Sequence, residues 1–218
     1  MLDSMPLAQY AAEHWIDHAK SGGMDSSVLQ LILHLFKSES APFKNWIRIH
    51  DIDLPWYASK LRLEKNTFCS SLYYSSLAGM YEALDCLLQI ENPSAKGEVN
   101  ADNGEYGNAL QAASYKGNEA IVKLLLENGA EVNAEGGYYG NALQAASHYK
   151  GNEAIVKMLL ENEADVNAKG GVYGNALQTA SYYKGNEAIV KILLENGAEV
   201  NAVEIGRASC RERVSPRV

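Results

Sequence analysis

The chain has 218 residues, of which 47% are apolar and 21% charged, and its formal net charge is −8. This composition is typical of a globular protein and excludes a chain that is disordered as a whole. No window approaches the roughly 18 consecutive apolar residues of a transmembrane helix, and an acidic chain lacks the basic face that nucleic acid or anionic lipid requires. We therefore expect neither a membrane nor a nucleic acid as partner.

The N-terminus and the cysteines indicate a reducing compartment. The first residues, MLDSMPLAQYAAEHW, lack the basic and then apolar order of a secretory signal peptide. Cys69, Cys86 and Cys210 are too few and too scattered for a disulfide framework or a zinc site, so we expect free thiols. These features predict an intracellular protein, cytoplasmic or alternatively nuclear.

Residues 1–66 are predicted to form a small helical region, and they contain all three tryptophans. Pro6 suits the first turn of one helix, and Asp25 suits the N-cap of a second. The apolar face of this second helix is predicted to contain Val28, Leu31, Leu35 and Phe36. Residues 43–49 predict a third helix. We expect the region to dock on the start of the segment that follows and to cover its exposed face.

Residues 67–203 are built from an internal repeat. The string GGYYGNALQAASHYKGNEAIVKMLLENEADVNA at 136–168 recurs at 170–202 with six of 33 positions changed. We place repeats at 104–134, 137–168 and 171–202, and a diverged unit at 67–99. The segment has seventeen acidic and eight basic side chains, so the negative charge of the chain belongs to the repeats.

Each unit is predicted to fold as helix, turn, helix and extended finger. Asn108 is a suitable N-cap for a first helix over 109–115, and Gly117 supplies the left-handed residue that ends it. Asn118 is predicted to cap the second helix. The buried face of that helix is predicted to contain Val122, Leu125 and Leu126. Since one unit cannot bury this face alone, neighbouring units must stack.

The unit resembles the ankyrin repeat, which runs roughly G-x-T-P-L-H-x-A-A-x-x-G-H-x-x-I-V-x-L-L-L-x-x-G-A-x-x-N. Residues 107–113, GNALQAA, occupy the place of the G-x-T-P-L-H-x-A-A segment. Residues 121–126, IVKLLL, match the I-V-x-L-L-L segment. The resemblance implies an all-α ankyrin-repeat solenoid, with helix-turn-helix units and short β-hairpin fingers, preceded by the small helical region. The Thr and His that brace the turn in the family are replaced, so the resemblance does not say how this turn is braced.

Two positions depart from the repeat pattern. Cys86 takes a leucine position in the second helix of the diverged unit, so we expect it to pack in the core. Glu163 stands where the neighbouring units have Gly129 and Gly197, at a helix end that favours positive φ. We expect Glu163→Gly to stabilise the chain.

The residues LAQYAAEHWIDHA, FKNWIRIHDIDLPW and SLYYSSLAGMYEALDCLL carry a second resemblance. They resemble the stretch that links a NACHT nucleotide-binding domain to C-terminal ankyrin repeats in many large fungal proteins, which are NLR-like receptors tied to non-self recognition. The chain has no G-x-x-x-x-G-K-[ST] phosphate loop. Any ATPase that the resemblance implies would therefore lie outside this chain.

The tail, residues 204–218, breaks every preceding pattern. Its first eleven residues, EIGRASCRERV, are the translation in one frame of the common short-read sequencing adapter. We expect the tail to be an adapter-derived, disordered artefact and the natural protein to continue past Ala202 with further repeats. The alternative is a real basic tail, which would resemble a nuclear-import or phosphate-binding run.

The sequence contains little evidence for catalytic or metal-binding groups. His14 and His18 lie four apart on a helix, but no third ligand is placed and the H-E-x-x-H pattern is absent. His50, Asp51 and Asp53 read more simply as a turn or helix end. The sequence therefore predicts no catalytic residue, no cofactor and no metal site.

The positions at which the near-identical repeats differ are the candidate partner-binding residues. Ankyrin proteins bind through their fingers and first helices, so the resemblance places these positions on the binding face; neutral drift at exposed sites is the alternative. They are Asn103, Glu105, Tyr115, Tyr138, His148, Val172 and Tyr182.

These features predict a non-catalytic protein-protein interaction module, as a fragment of a larger intracellular sensor or adaptor. The acidity of the repeats favours a basic protein partner. One alternative is the ligand-sensing C-terminal region of a NACHT-type signalling ATPase. A free-standing scaffold or a secreted effector is another.

Overall fold

The computed structural model describes residues 6–23, 25–36, 41–49, 69–90, 99–101, 104–148 and 152–200. Asn103, the carboxylates Asp51 and Asp53 with His50, the tail at 204–218 and the boundary at residue 66 lie outside the described residues. The predictions made for them are therefore unchanged by the structure.

The described residues form eleven helices. They are α1 (Pro6–Ser21), α2 (Ser26–Leu35), α3 (Ala41–Ile49), α4 (Ser71–Ala78), α5 (Tyr81–Ile90), α6 (Ala109–Lys116), α7 (Glu119–Glu127), α8 (Ala142–Ala146), α9 (Glu153–Glu161), α10 (Ala176–Tyr182) and α11 (Glu187–Glu195). From α4 onwards they come in pairs, and we call the first of each pair the inner helix and the second the outer helix. Inner helices pack on inner helices and outer on outer in successive pairs. The predicted all-α repeat solenoid is confirmed.

The inner helices begin and end as the repeat pattern predicts. The Asn108 side chain accepts from the Gln111 N–H at 3.0 Å, while the Gln111 side chain accepts from the Asn108 N–H at 2.8 Å. This capping box satisfies two backbone donors of α6. Gly117 ends the helix in the left-handed region, with φ of 74°.

Gln111 also connects its repeat to the next. Its Nε2 donates to the carbonyls of Ala134 and Gly140, at 2.8 and 3.3 Å. Gln144 makes the equivalent bonds to Ala168 and Gly174. The turn is thus braced by Gln, two residues after the start of the inner helix, in a chain that lacks the usual Thr and His.

The prediction that Asn118 caps the outer helix is wrong. Its side chain makes no cap bond and instead donates, from Nδ2, to the Ser76 carbonyl of the preceding repeat at 3.2 Å. Asn152 and Asn186 do the same to Ser114 and Ser147. The Ser76 and Ser114 carbonyls lie in the last turn of their inner helices and also accept from the N–H groups of Gly79 and Gly117, so the asparagine adds a bond between repeats there.

A second asparagine ladder runs along the loops that follow the outer helices. Each member contacts the corresponding loop of the next repeat. Its side-chain oxygen accepts from a backbone N–H of that loop at 2.8 to 2.9 Å, and its side-chain nitrogen donates to a carbonyl of that loop. The members are Asn100, Asn133 and Asn167. The two asparagine ladders thus join successive repeats by hydrogen bonds between asparagine side chains and backbone groups.

The N-terminal helices lie against the first repeat. The Ser71 hydroxyl donates to the Phe36 carbonyl at 2.5 Å, and Lys20 donates from Nζ to the Ala78 carbonyl. Phe43 and Trp46 meet the ring of Tyr74 with centroids 5.7 and 6.1 Å away. These contacts cover the N-terminal face of the diverged repeat with aromatic side chains.

Two expectations about apolar positions are wrong. Leu31 is 71% exposed, and Ile32 is buried in its place, because consecutive helical residues point about 100° apart and α2 turns its Ile32 side to the core. Cys86 is only half-buried, since Leu84 and Leu87 occupy the buried face of α5. Asp25 does cap α2, accepting from the N–H groups of Ser27 and Val28.

Candidate partner-binding face

Each finger is a tight hairpin closed by one antiparallel bridge between glycines. The bridges join Gly104 to Gly107, Gly136 to Gly140 and Gly170 to Gly174. The finger of the second pair of helices is one residue shorter than those that follow. Of the positions that differ between repeats, Glu105, Tyr138 and Val172 lie at the tips of these hairpins.

Backbone hydrogen bonds join the three tips into one row. The Tyr138 N–H donates to the Glu105 carbonyl at 2.7 Å, and the Val172 N–H donates to the Tyr138 carbonyl at 3.1 Å. We call Glu105, Tyr138 and Val172 the fingertip row. Three positions that lie far apart in sequence are thus neighbours on one edge of the molecule.

Glycine permits this close approach. A Cβ added to Gly137 would come within 2.2 Å of the backbone of Tyr106 and Gly107, and one added to Gly171 within 2.1 Å of the Tyr139 carbonyl oxygen. Both glycines also have positive φ, of 64° and 59°. A side chain at either position would push the fingers apart.

The fingertip row offers different side chains on this constant backbone. Glu105 is exposed, Tyr138 is 40% exposed and Val172 is half-buried. The Tyr138 ring contacts the rings of Tyr139 and Tyr173 edge-on, with centroids 5.1 and 6.3 Å away. It is therefore supported from below while its outer face remains accessible.

Beneath the tips runs a stack of aromatic rings. One tyrosine of each finger lies parallel to the next: Tyr106 is 6.2 Å from Tyr139, which is 6.0 Å from Tyr173. Rings from the ends of the inner helices fill the spaces, with Tyr115 at 4.3 Å from Tyr106 and His148 at 4.8 Å from Tyr139. We call these five rings, together with Tyr183, the aromatic stack.

The predicted helix-end residues therefore have very unequal exposure. Tyr115 is half-buried within the aromatic stack, and His148 is only 6% exposed. Tyr182, which follows them in the repeat pattern, is 71% exposed. The structure brings Glu105, Tyr138 and Val172 together, whereas Tyr115 and His148 lie beneath them and Tyr182 lies at the last described repeat.

Burial favours the neutral form of three rings in the aromatic stack. Burial lowers the pKa of His148 to about 4. Burial also raises the pKa of Tyr139 and Tyr173 well above the ordinary tyrosine value, and the Tyr173 hydroxyl lies 2.6 Å from that of Tyr183. None of these three groups is placed to exchange a proton at neutral pH.

The described residues contain no group of three or more His, Cys, Asp or Glu side chains arranged to hold a metal ion. His14 and His18 lie beside Tyr10 on α1, with ring centroids 4.5 and 6.3 Å from that of the tyrosine. Among the described helices, none is long and apolar enough to cross a membrane.

Sequence reasoning missed the aromatic stack. The three near-identical repeats all have a tyrosine at this finger position: Tyr106, Tyr139 and Tyr173. A search for positions that differ between repeats therefore does not find it. The available signal was a tyrosine placed each time directly before the bridging glycine. That signal predicts a shared structural role, because a position that is constant while its neighbours vary serves the scaffold.

Comparison with known proteins identifies the family. A model of the family described as ankyrin repeats in three copies matches residues 72–170 and 137–204. The chain belongs to the ankyrin repeat family. The azaphilone pigments biosynthesis cluster protein L of Monascus ruber is 38% identical over 137 residues, which cover 59% of this ankyrin chain and 28% of that protein. The chain thus spans less than a third of that relative's length.

Proposed function

We propose that this ankyrin chain is a protein-binding module that contacts its partner through the fingertip row, without a catalytic step of its own. The observation that carries the proposal is the pair of backbone hydrogen bonds from Tyr138 to Glu105 and from Val172 to Tyr138. They assemble the residues that differ between repeats into one continuous surface. A constant scaffold with varied side chains at its tips is how binding loops are organised in other recognition proteins.

Tyr138 is the anchor in this proposal. Tyrosine supplies a large contact area at low entropic cost, and interface energy concentrates in such aromatic residues. Tyr138 stands at the centre of the fingertip row, and its edge-on contacts with two buried or half-buried rings limit its conformations before binding. A ring that is already positioned loses less entropy on binding.

Charge supports a basic protein as the partner. The exposed carboxylates of Glu105 and Glu135 belong to the finger region around Tyr138, and the repeats as a whole are acidic. Complementary charge raises the association rate and disfavours acidic competitors such as nucleic acid. Binding is therefore expected to weaken as salt is raised.

We also propose that the module is part of a larger intracellular sensor or adaptor. The resemblance of residues 7–19, 43–56 and 71–88 to the stretch that follows the NACHT domain in fungal proteins supports this, as does the much greater length of the Monascus relative. The alternative within the same proposal is the ligand-sensing end of a NACHT-type ATPase. The full-length transcript tests both: an in-frame phosphate-loop exon upstream favours the ATPase, and a complete gene of this length contradicts the larger protein.

The binding test uses a photo-cross-linking amino acid at Tyr138, with the same amino acid at Lys157 on the outer helix α9 as the matched control. Only the chain labelled at position 138 is expected to capture the partner. With the captured partner purified, Tyr138→Ala should raise Kd by about tenfold or more, and Lys157→Ala should leave it unchanged. Equal affinities for the two variants would contradict the fingertip row as the binding site.

A further inference from the structure

The fingertip row has a regular spacing that limits which partner structures can contact all three tips. Each tip is joined to the next by one backbone hydrogen bond, from Tyr138 to Glu105 at 2.7 Å and from Val172 to Tyr138 at 3.1 Å. Backbones joined in this way lie about 5 Å apart. The parallel tyrosine rings directly below the tips repeat at 6.2 and 6.0 Å. Neighbouring tips therefore present their side chains at intervals of about 5–6 Å.

An extended peptide has nearly the same interval. Its backbone rises by about 3.3 Å per residue, and alternate side chains point to the same side. Side chains i, i+2 and i+4 on one side are therefore about 6.6 Å apart. An extended segment laid across the fingers places one side chain on each tip, while the side chains between them point away from the protein.

A helical peptide does not fit all three tips. Residues i and i+4 of an α-helix are about 6 Å apart along the axis, but each step of four residues turns the contact by about 40°. The third contact is then rotated by about 80° from the first. A polyproline helix returns a side chain to the same side only every three residues, or about 9 Å. The extended conformation is thus the regular one that matches the whole row.

The charges beside the row differ between its two ends. Glu105 is exposed on the first tip, and Glu135 is exposed at the start of the second finger. In the third finger the position equivalent to Glu135 is Lys169, which is also exposed. The exposed lysines at the helix ends, Lys116 and Lys184, occupy equivalent positions and do not distinguish the ends. A basic side chain is therefore attracted at the first two fingers and disfavoured at the third.

Each tip has its own preferred contact. The Glu105 carboxylate suits a lysine or arginine. The Tyr138 ring contacts other rings on its inner side and offers its outer side, on which a planar guanidinium stacks well. Val172 is apolar and half-buried, so it suits an apolar side chain. The row therefore has a fixed order of chemistry from the first finger to the third.

We propose that the segment bound by the fingertip row is an extended peptide of the partner, with a basic residue, an arginine and an apolar residue at alternate positions. These three contact Glu105, Tyr138 and Val172, in that order. The inference rests on the proposed function, since it takes the fingertip row as the binding site. It adds the backbone conformation, the spacing and the residue classes of the bound segment.

The spacing is tested with the full chain and fluorescein-labelled peptides, read by fluorescence anisotropy. The matching cores are Lys-Ser-Arg-Ser-Leu and its reverse, Leu-Ser-Arg-Ser-Lys, because the side-chain order fits either chain direction. At least one should bind with a Kd below about 1 mM. The control Lys-Arg-Ser-Ser-Leu has the same composition but turns its arginine away, so it should bind about fivefold or more weakly. Equal affinity for the matching and control peptides would overturn the proposal.

A charge exchange tests the order along the row. Glu105→Lys should weaken binding of the matching peptide about tenfold, and a peptide with glutamate in place of its lysine should recover the affinity. Glu161→Lys, the same charge change on the outer helix α9, is the matched control and should leave Kd unchanged. The recovery also shows that the Glu105→Lys chain is folded. Absence of recovery would contradict the contact between Glu105 and the basic residue.

The conformation is tested by proline. Proline in place of both serines of the matching peptide favours an extended backbone and breaks a helix, so Kd should stay within about threefold. Loss of binding would overturn the extended conformation. The fate of the proposed function is separate: if a chain labelled at Tyr138 cross-links its partner but none of these peptides binds, the extended-peptide inference fails and the fingertip row remains the binding site.

Discussion

The two ends of the described helix stack differ in how far their apolar side chains are covered. At the N-terminal end the face of the first repeat is covered by α1–α3, with Phe36 and Phe43 fully buried and the Trp46 ring packed against Tyr74. At the other end Leu194 and Val200 of the last described repeat lie open. The contrast teaches that the repeat surface does not specify what covers it: irregular helices rich in aromatic residues and a regular repeat both serve.

The largest effect is expected at the covered end. Phe36→Ala removes a ring with no exposed surface that touches Trp15, Phe43 and Trp46, so it should lower the free energy of unfolding by about 3–5 kcal/mol. Leu194→Ala, at the open end, should cost less than about 1 kcal/mol. Urea denaturation followed by circular dichroism measures both. A similar loss for the two variants would show that the ends are not different in packing.

Acid should distinguish the interior of the stack from its open end. The unfolded chain binds a proton at His148 with the ordinary pKa of 6.5, whereas the folded chain does so only at about 4. Between these values the unfolded state holds more protons, so stability is full above pH 6.5 and falls as the pH drops toward 4, by up to about 3 kcal/mol.

The control for the acid experiment is His148→Tyr, which places the residue of the open-end position Tyr182 within the stack. The variant should lose the stability change between pH 6.5 and 4 that His148 causes, as measured by urea midpoints across that range. A pH profile that is unchanged in the variant would mean that carboxylates and not His148 produce it.

The glutamine bridges give a third comparison. Gln111→Ala breaks the capping box and both bonds to the following finger, leaving buried carbonyls without their donor. The free energy of unfolding should fall by about 1–3 kcal/mol. Asn108→Ala removes the other bond of the capping box but keeps both bonds from Gln111 to the following finger, and it should cost less. Thermal denaturation measures both losses. Equal losses would show that the bonds from Gln111 to the following finger are not the cause.

The smallest effect concerns Glu163, which has a φ of 65° and is the one residue other than glycine with positive φ in the described chain. Glu163→Gly should stabilise the protein by about 1 kcal/mol, because a left-handed conformation strains a side chain with a Cβ. Gly129→Glu, at the matched position of the preceding repeat, should destabilise it by a similar amount. A lower melting midpoint for Glu163→Gly would show that the glutamate makes a favourable contact that exceeds the strain.

Local signals in the sequence predicted local structure well. Asn108 and Gly117 begin and end their helix as expected, and the matching helix pairs follow from near-identical strings. Asn118 was misjudged because an asparagine before a helix can cap it or reach another chain segment, and only the packed neighbour decides. Differences between repeats predict which residues form the fingertip row. They do not predict that these residues are adjacent, because hydrogen bonds between fingers create that adjacency. The aromatic stack combines ring contacts within one repeat, such as that of Tyr106 with Tyr115, with contacts between repeats, which the sequence of one unit does not reveal.

The joints between the fingertips have a consequence for how this protein can change over generations. They are hydrogen bonds between backbone N–H and carbonyl groups, so the bonds themselves do not require a particular side chain at any tip. Single codon changes at positions 105, 138 and 172 would therefore alter the side chains of the fingertip row while these bonds can still form. Under the proposed function, a population of such genes can explore new partners without first losing a stable protein.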